Sequence, residues 1–233
     1  MARKKKENWF KKLLKTVVIA YLLLTLCQLA GDIYSRLGTT HKISASEEWN
    51  LIVVNRWNEI PEDYSVELTK LSNGQKIDSR IYPALQEMFD AARAEGIYPI
   101  VREGYRTTEE QQEILDDKIQ AYINEGYSKR RAEKTAKEWV ALPGTSEHQL
   151  GIAVDINADK SKCTNEEVYE WLAENAYKYG FILRYPVGKQ EITGTSYEPW
   201  HYRYVGIEAA QEIYELGICL EEYFEKLTEE EKL

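Results

Sequence analysis

Two of the three histidines in this 233-residue chain stand beside acidic groups where polar sequence meets apolar sequence. His148 lies in SEHQLGIAVD (146–155), seven residues before Asp155, and His201 closes EPWH (198–201), three residues after Glu198. A zinc site takes about three imidazole or carboxylate ligands, with the fourth position left to water where the site is catalytic. His148, Asp155 and His201 make one such set with no histidine to spare, because His41 falls in a polar stretch and is most simply a solvated residue.

Taken alone, SEHQLGIAVD also fits a plainer reading, a surface histidine and an aspartate satisfied by ordinary hydrogen bonds. Asp155 stands between Val154 and Ile156, where a carboxylate costs several kcal/mol unless it is paired or metal-bound. In one uninterrupted strand a seven-residue offset would point His148 and Asp155 to opposite faces. Gly151 offers a break between them. EPWH adds the missing function: Glu198 and His201 can face one cleft if Pro199 sets a turn. A carboxylate that is not a ligand but lies close to a zinc-bound water can act as general base and then as general acid. The HExxH signature of helical zinc peptidases is absent.

These motifs resemble those of bacterial D-alanyl-D-alanine carboxypeptidases of the VanY type. SEHQLGIAVD matches their pattern S-x-H-x-x-G-x-A-x-D, and EPWH matches E-x-W-H. The similarity extends through LIVVNRWNEIPEDY, MFDAARAEGI, GYRTTEEQQ and YGFILRYP. The wider superfamily includes lysostaphin-type peptidases and the hedgehog signalling domain. The resemblance implies one zinc ion (Zn2+) per chain, held by His148, Asp155 and His201, with Glu198 as catalytic base. It implies that Arg106, in GYRT, holds the substrate or the developing oxyanion, and that Gln111 and Ser146 contact the peptide terminus. The implied activity is removal of the terminal D-alanine from peptidoglycan stem peptides. An L,D-carboxypeptidase, a peptidoglycan endopeptidase and a non-catalytic zinc-stabilised wall-binding module remain as alternatives, and Glu198 speaks against the last because a binder has no need of it.

The elements that must carry these residues are legible from periodicity and punctuation. LIVVN (51–55) reads as a buried strand, and IYPALQEMFDAARAEG as a helix with Leu85, Met88, Phe89 and Ala92 on one face. IYPIVREGY reads as a strand, and Thr107 or Thr108 caps a polar helix to about Asn124. A second helix over 129–140, a loop through ALPGTSEHQLG and the strand IAVDI follow. A helix over 165–178, the strand FILRYP, a polar loop, the strand HYRYV and a helix over 207–216 complete the pattern, before a last amphipathic segment, CLEEYF. Helices and short strands without strict alternation predict an α+β domain, helices packed around a small antiparallel sheet.

Residues 1–15 carry seven Lys/Arg and one Glu, whereas the rest of the chain carries 23 basic and 38 acidic side chains. Such an acidic body is a poor partner for nucleic acid, which demands clustered Lys/Arg. From Thr16 to Gly31 there is no charge, a run of about 24 Å as helix, extended by Leu13 and Leu14 if Lys15 reaches the interface. The basic flank predicts a cytoplasmic N-terminus, a single-pass cell-membrane anchor and an extracellular catalytic domain, where a peptidoglycan stem peptide would be met. Cleavage as a signal peptide is the rival, opposed by Gln28 and Leu29 at the small-residue positions, and lipidation at Cys27 is another. The expected organisation is a basic tail (1–12), an anchor (13–31), a linker (32–48), the zinc domain (49–226) and a charged tail (227–233). Cys163 and Cys219 would lie outside the cytoplasm, as a disulfide or as two thiols.

Overall fold

The computed structural model describes residues 49–230. The anchor expected over 13–31, Cys27 and His41 lie outside them, and among the described residues no helix is long and apolar enough to cross a membrane.

Two sheets, both antiparallel, organise the domain. Strands β1 (Leu68–Lys70) and β2 (Lys76–Asp78) form a hairpin that leads into helix α1 (Tyr82–Ala94). The larger sheet has the order β3 (Pro99–Glu103), β4 (Ala153–Ala158), β6 (His201–Tyr204), β5 (Phe181–Leu183). Helices α2 (Thr108–Asn124) and α3 (Lys129–Ala136) fill the interval between β3 and β4. Helix α4 (Asn165–Asn175) joins β4 to β5, and the short α5 (Gln190–Thr193) interrupts the polar loop before β6. Helices α6 (Ile207–Leu216) and α7 (Leu220–Glu230) end the fold. The chain is therefore α+β, with small antiparallel sheets flanked by helices.

Strand alternation divides the labour between the two faces of the larger sheet. Val154 pairs with Tyr202, and Ile156 and Phe181 fall on that same apolar side, packed with Leu85, Met88 and Phe89 of α1 and Val168 and Leu172 of α4. Asp155 pairs with His201 and Ala153 with Arg203 on the other side. The period of two that buries the core therefore turns the polar residues of β4 and β6 to the opposite face. Local signals agree: α2 and α4 each begin with a capping box, Thr107 with Glu110 and Thr164 with Glu167, which satisfies backbone N–H groups that helix geometry leaves open.

One expectation needs correction, and two features of the fold go beyond those expected. LIVVN is no strand: Ile52 and Val54 are buried, but the carbonyls of Asn50 and Ile52 accept hydrogen bonds from the Arg203 guanidinium instead of a neighbouring strand. The hairpin β1–β2 was not expected at all. Helix α7 runs through Glu230, so the first part of the expected charged tail (227–233) is helical.

Candidate metal centre and its cleft

His148 reaches the site from a 3-10 turn, Glu147–Leu150, that ends at Gly151 with φ of 75°. A Cβ at that glycine would stand 3.1 Å from the Asp78 backbone nitrogen, and a left-handed φ disfavours any other residue. This turn is the break that the seven-residue offset requires, since it releases His148 from the strand that carries Asp155. Asp155 and His201 meet differently, as direct partners across the β4–β6 ladder, which puts their side chains on one face. Glu198 follows from the turn closed by the His201 N–H donating to the Glu198 carbonyl.

The three side chains converge so that one nitrogen or oxygen of each lies within 4.8 Å of the others. His148 Nδ1 is 2.8 Å from the Gly104 carbonyl oxygen, which can only accept, so the proton is assigned to Nδ1 and the Nε2 lone pair faces inward. Asp155 Oδ1 lies 3.4 Å from that Nε2 and 3.1 Å from His201 Nδ1. Although buried, Oδ1 has no hydrogen-bond partner. An orphaned carboxylate oxygen between two inward-facing imidazole nitrogens is the donor set that zinc takes in catalytic sites.

Electrostatics favour a cation at the same point. Burial opposes charge on His201, yet Asp155, Glu147 and Glu198 outweigh it and raise that ring to about 9. Burial and then the Arg106 charge push His148 down to about 4. Asp155 is held below the usual carboxylate range, burial being outweighed by the two imidazoles. Burial also raises Glu198 to about 7, with Asp155 adding to the rise and His201 and Arg106 pulling back. Its Oε2 stands 3.7 Å from His201 Nδ1.

Arg106 faces Asp155 from the opposite wall, with Nη2 at 3.5 Å from Oδ2. Its backbone N–H donates to the His148 carbonyl, so the two motifs are joined main chain to main chain. Gln111 is buried rather than solvated: Oε1 accepts from Arg106 Nη1 at 3.3 Å, and Nε2 donates to the Ala141 carbonyl at 2.8 Å. Ser146 is buried at the edge of the same cleft, a cavity of about 370 Å³ that runs from the ligand cluster past Trp200 to Lys118, Tyr122 and Trp139. Trp200 thus walls the cleft, while Tyr197 is largely exposed.

Sequence reasoning missed two supports. The hairpin pins both motif loops, because Tyr105 N–H donates to the Lys76 carbonyl and Asp78 N–H to the Gly151 carbonyl. Glu147, beside His148, is bonded to two fully buried arginines, Arg184 and Arg203. Cys163 and Cys219 are free thiols, with no disulfide between them.

The family model for VanY, D-alanyl-D-alanine carboxypeptidase, matches residues 74–207. A D-alanyl-D-alanine carboxypeptidase of Enterococcus faecalis (strain ATCC 700802 / V583) is 62% identical over 187 residues, 80% of this chain and 70% of the relative. A mutant of the vancomycin-resistance D,D-pentapeptidase VanY from a VanB-type cassette, in complex with Zn(II), superposes with a TM-score of 0.75 at 64% identity. That match covers 76% of this chain and 99% of the other. VanYB in complex with D-alanine-D-alanine gives the same TM-score and identity over 76% and 98% of the two chains.

Proposed function

The chain belongs to the VanY family of D-alanyl-D-alanine carboxypeptidases, and from that membership we infer that it is a zinc-dependent hydrolase removing the C-terminal D-alanine of peptidoglycan stem peptides. The observation that carries the reading on this chain's own residues is the partnerless Asp155 Oδ1, set between His148 Nε2 and His201 Nδ1 with Glu198 beside them. His148, Asp155 and His201 hold the metal. Zinc bound there supplies a Lewis acid that acidifies water and polarises a carbonyl.

The remaining work falls to the protein. Glu198, buried beside the metal site, takes a proton from the attacking water and returns it to the departing amine. Arg106 offers a planar fork of N–H donors to the substrate carboxylate or to the negative charge that develops on the carbonyl oxygen. Gln111 holds Arg106, and Ser146 at the cleft wall meets the peptide terminus. Trp200 and Trp139 shape the cleft for the rest of the stem.

The cellular setting forms part of the same proposal. Residues 13–31 anchor the chain in the cell membrane, with the basic tail cytoplasmic and the catalytic domain outside. Support comes from the uncharged run Thr16–Gly31 behind seven Lys/Arg, and from a substrate class that lies beyond the membrane. The acidic body takes no nucleic acid partner.

The test is product analysis on defined pentapeptide and tetrapeptide stems, with and without a chelator. Release of D-alanine from the pentapeptide, abolished by the chelator and restored by zinc, is expected. A zinc-loaded protein that releases none would overturn the reading, and release from the tetrapeptide alone would replace it with an L,D-specificity.

A further inference from the structure

We propose that Glu147 is a positioning residue for the metal centre, orienting the His201 ring from the side away from the metal and keeping its proton on Nε2, so that Nδ1 presents a lone pair. The proposal rests on the reading of His148, Asp155 and His201 as metal ligands.

The two carboxylate oxygens of Glu147 have different partners. Oε1 accepts from Arg184 Nε at 2.7 Å and from Arg203 Nη1 at 2.8 Å, and both arginines are fully buried. Oε2 accepts no hydrogen bond and lies 3.7 Å from His201 Nε2, a buried nitrogen that likewise has no hydrogen-bond partner. An unmet acceptor thus faces an unmet donor across a gap slightly beyond the ~3.2 Å reach of a hydrogen bond. Leaving either group unsatisfied in the interior is costly, so closing that gap is favoured. Metal on Nδ1 makes the Nε2 proton a stronger donor, which tightens the contact further.

The neighbours of Glu147 make this role specific. Glu147 and His148 are adjacent in the 3-10 turn, and their side chains part, one to the inward face of the site and one to the arginines. Arg184 is shared: its Nη1 and Nη2 donate to Glu221 of α7 at 2.9 and 2.6 Å. Glu221 therefore helps to hold the same arginine, but its further hydrogen bond is accepted from Asn55 Nδ2 at 3.0 Å and does not involve His201. Removing either carboxylate weakens the arginine cluster, but only Glu147 reaches the histidine.

The experiment compares the wild type with Glu147→Gln and Glu221→Gln, measuring the zinc dissociation constant by chelator competition and Tm without metal. A glutamine at 147 must turn its amide oxygen to the two guanidiniums, which leaves its NH2 against His201 Nε2 and selects the tautomer protonated on Nδ1. Zinc affinity should then fall roughly 10–100-fold. Glu221→Gln should lower Tm and keep the wild-type affinity. Should Glu147→Gln fail to fold, the His201 Nε2 proton is followed by ring NMR in the zinc-loaded wild type, where slow exchange with water is expected. Unchanged affinity in a folded Glu147→Gln, or rapid exchange of that proton, would overturn the proposal. A wild type that takes up no zinc would overturn the ligand assignment itself, and the role of Glu147 with it.

Discussion

Gln111 bridges Arg106 and the main chain of residue 141, accepting from the guanidinium at 3.3 Å and donating to the Ala141 carbonyl at 2.8 Å. The first turn of α2 thereby holds the arginine against the cleft. Gln111→Ala should leave zinc bound and lower kcat/KM by roughly 10–100-fold, the range for losing a hydrogen bond to a charged group, about 1.5–3 kcal/mol. Steady-state kinetics beside a zinc titration would decide. A loss of metal together with activity would show that Gln111 supports the whole site rather than the arginine.

Glu198 is buried beside the ligand cluster without belonging to it, its Oε2 being 3.7 Å from His201 Nδ1. Glu198→Gln keeps the volume and removes the carboxylate proposed as the base. Zinc should stay bound while kcat drops about 10²–10⁴-fold, the usual contribution of a positioned proton-transfer group. Turnover near the wild-type rate would strike Glu198 from the mechanism.

Gly104 supports His148 through its carbonyl and has no room for a side chain. An added Cβ would stand 2.2 Å from the Lys76 carbonyl oxygen, a backbone atom of β2 that cannot swing aside. Gly104→Ala must displace either the hairpin or the loop, so thermal stability and zinc affinity should fall together. A variant with lowered Tm and wild-type zinc affinity would show that the Gly104 carbonyl does not set the His148 ring.

The group able to hold a metal was legible because its members are short-range in sequence: His148 and Asp155 share one motif, and His201 shares another with Glu198. Helix α6 was readable too, as its ten residues combine an apolar face with glycines at both ends. The hairpin escaped notice because each strand has three residues and β2 offers only Ile77 to the core, too little for an alternation, although Asn73-Gly74 marks its turn. Arg184 and Arg203 look in sequence like the outward charges of two strands. Both are bonded to Glu147, 37 and 56 residues away, and Arg203 also to the carbonyls of Asn50 and Ile52, more than 150 residues away. The same distant bonds turned an apolar run at 51–55 into a buried segment that is not a strand. Contacts so remote leave no local pattern.

Cys219, at the entry to α7, gives a pH dependence with a definite sign. Burial raises its thiol to about 12, with the nearby Glu221 and Glu222 charges adding to the rise and its own backbone bond to Glu222 opposing it. In the unfolded chain the thiol ionises at its ordinary value of 9.0. Between those limits the unfolded state releases a proton that the folded state retains, so stability falls as pH rises through this window. Cys219→Ala has no thiol to ionise and should lack that component. The difference in unfolding free energy between wild type and variant should therefore be constant up to about pH 8 and shift in favour of the variant by pH 10, as read from urea denaturation. Lysines and tyrosines titrate over the same range in both proteins and cancel in the difference. A difference that does not move between pH 8 and 10 would show that the thiol ionises alike in both states, against its near-complete burial at 1% exposure.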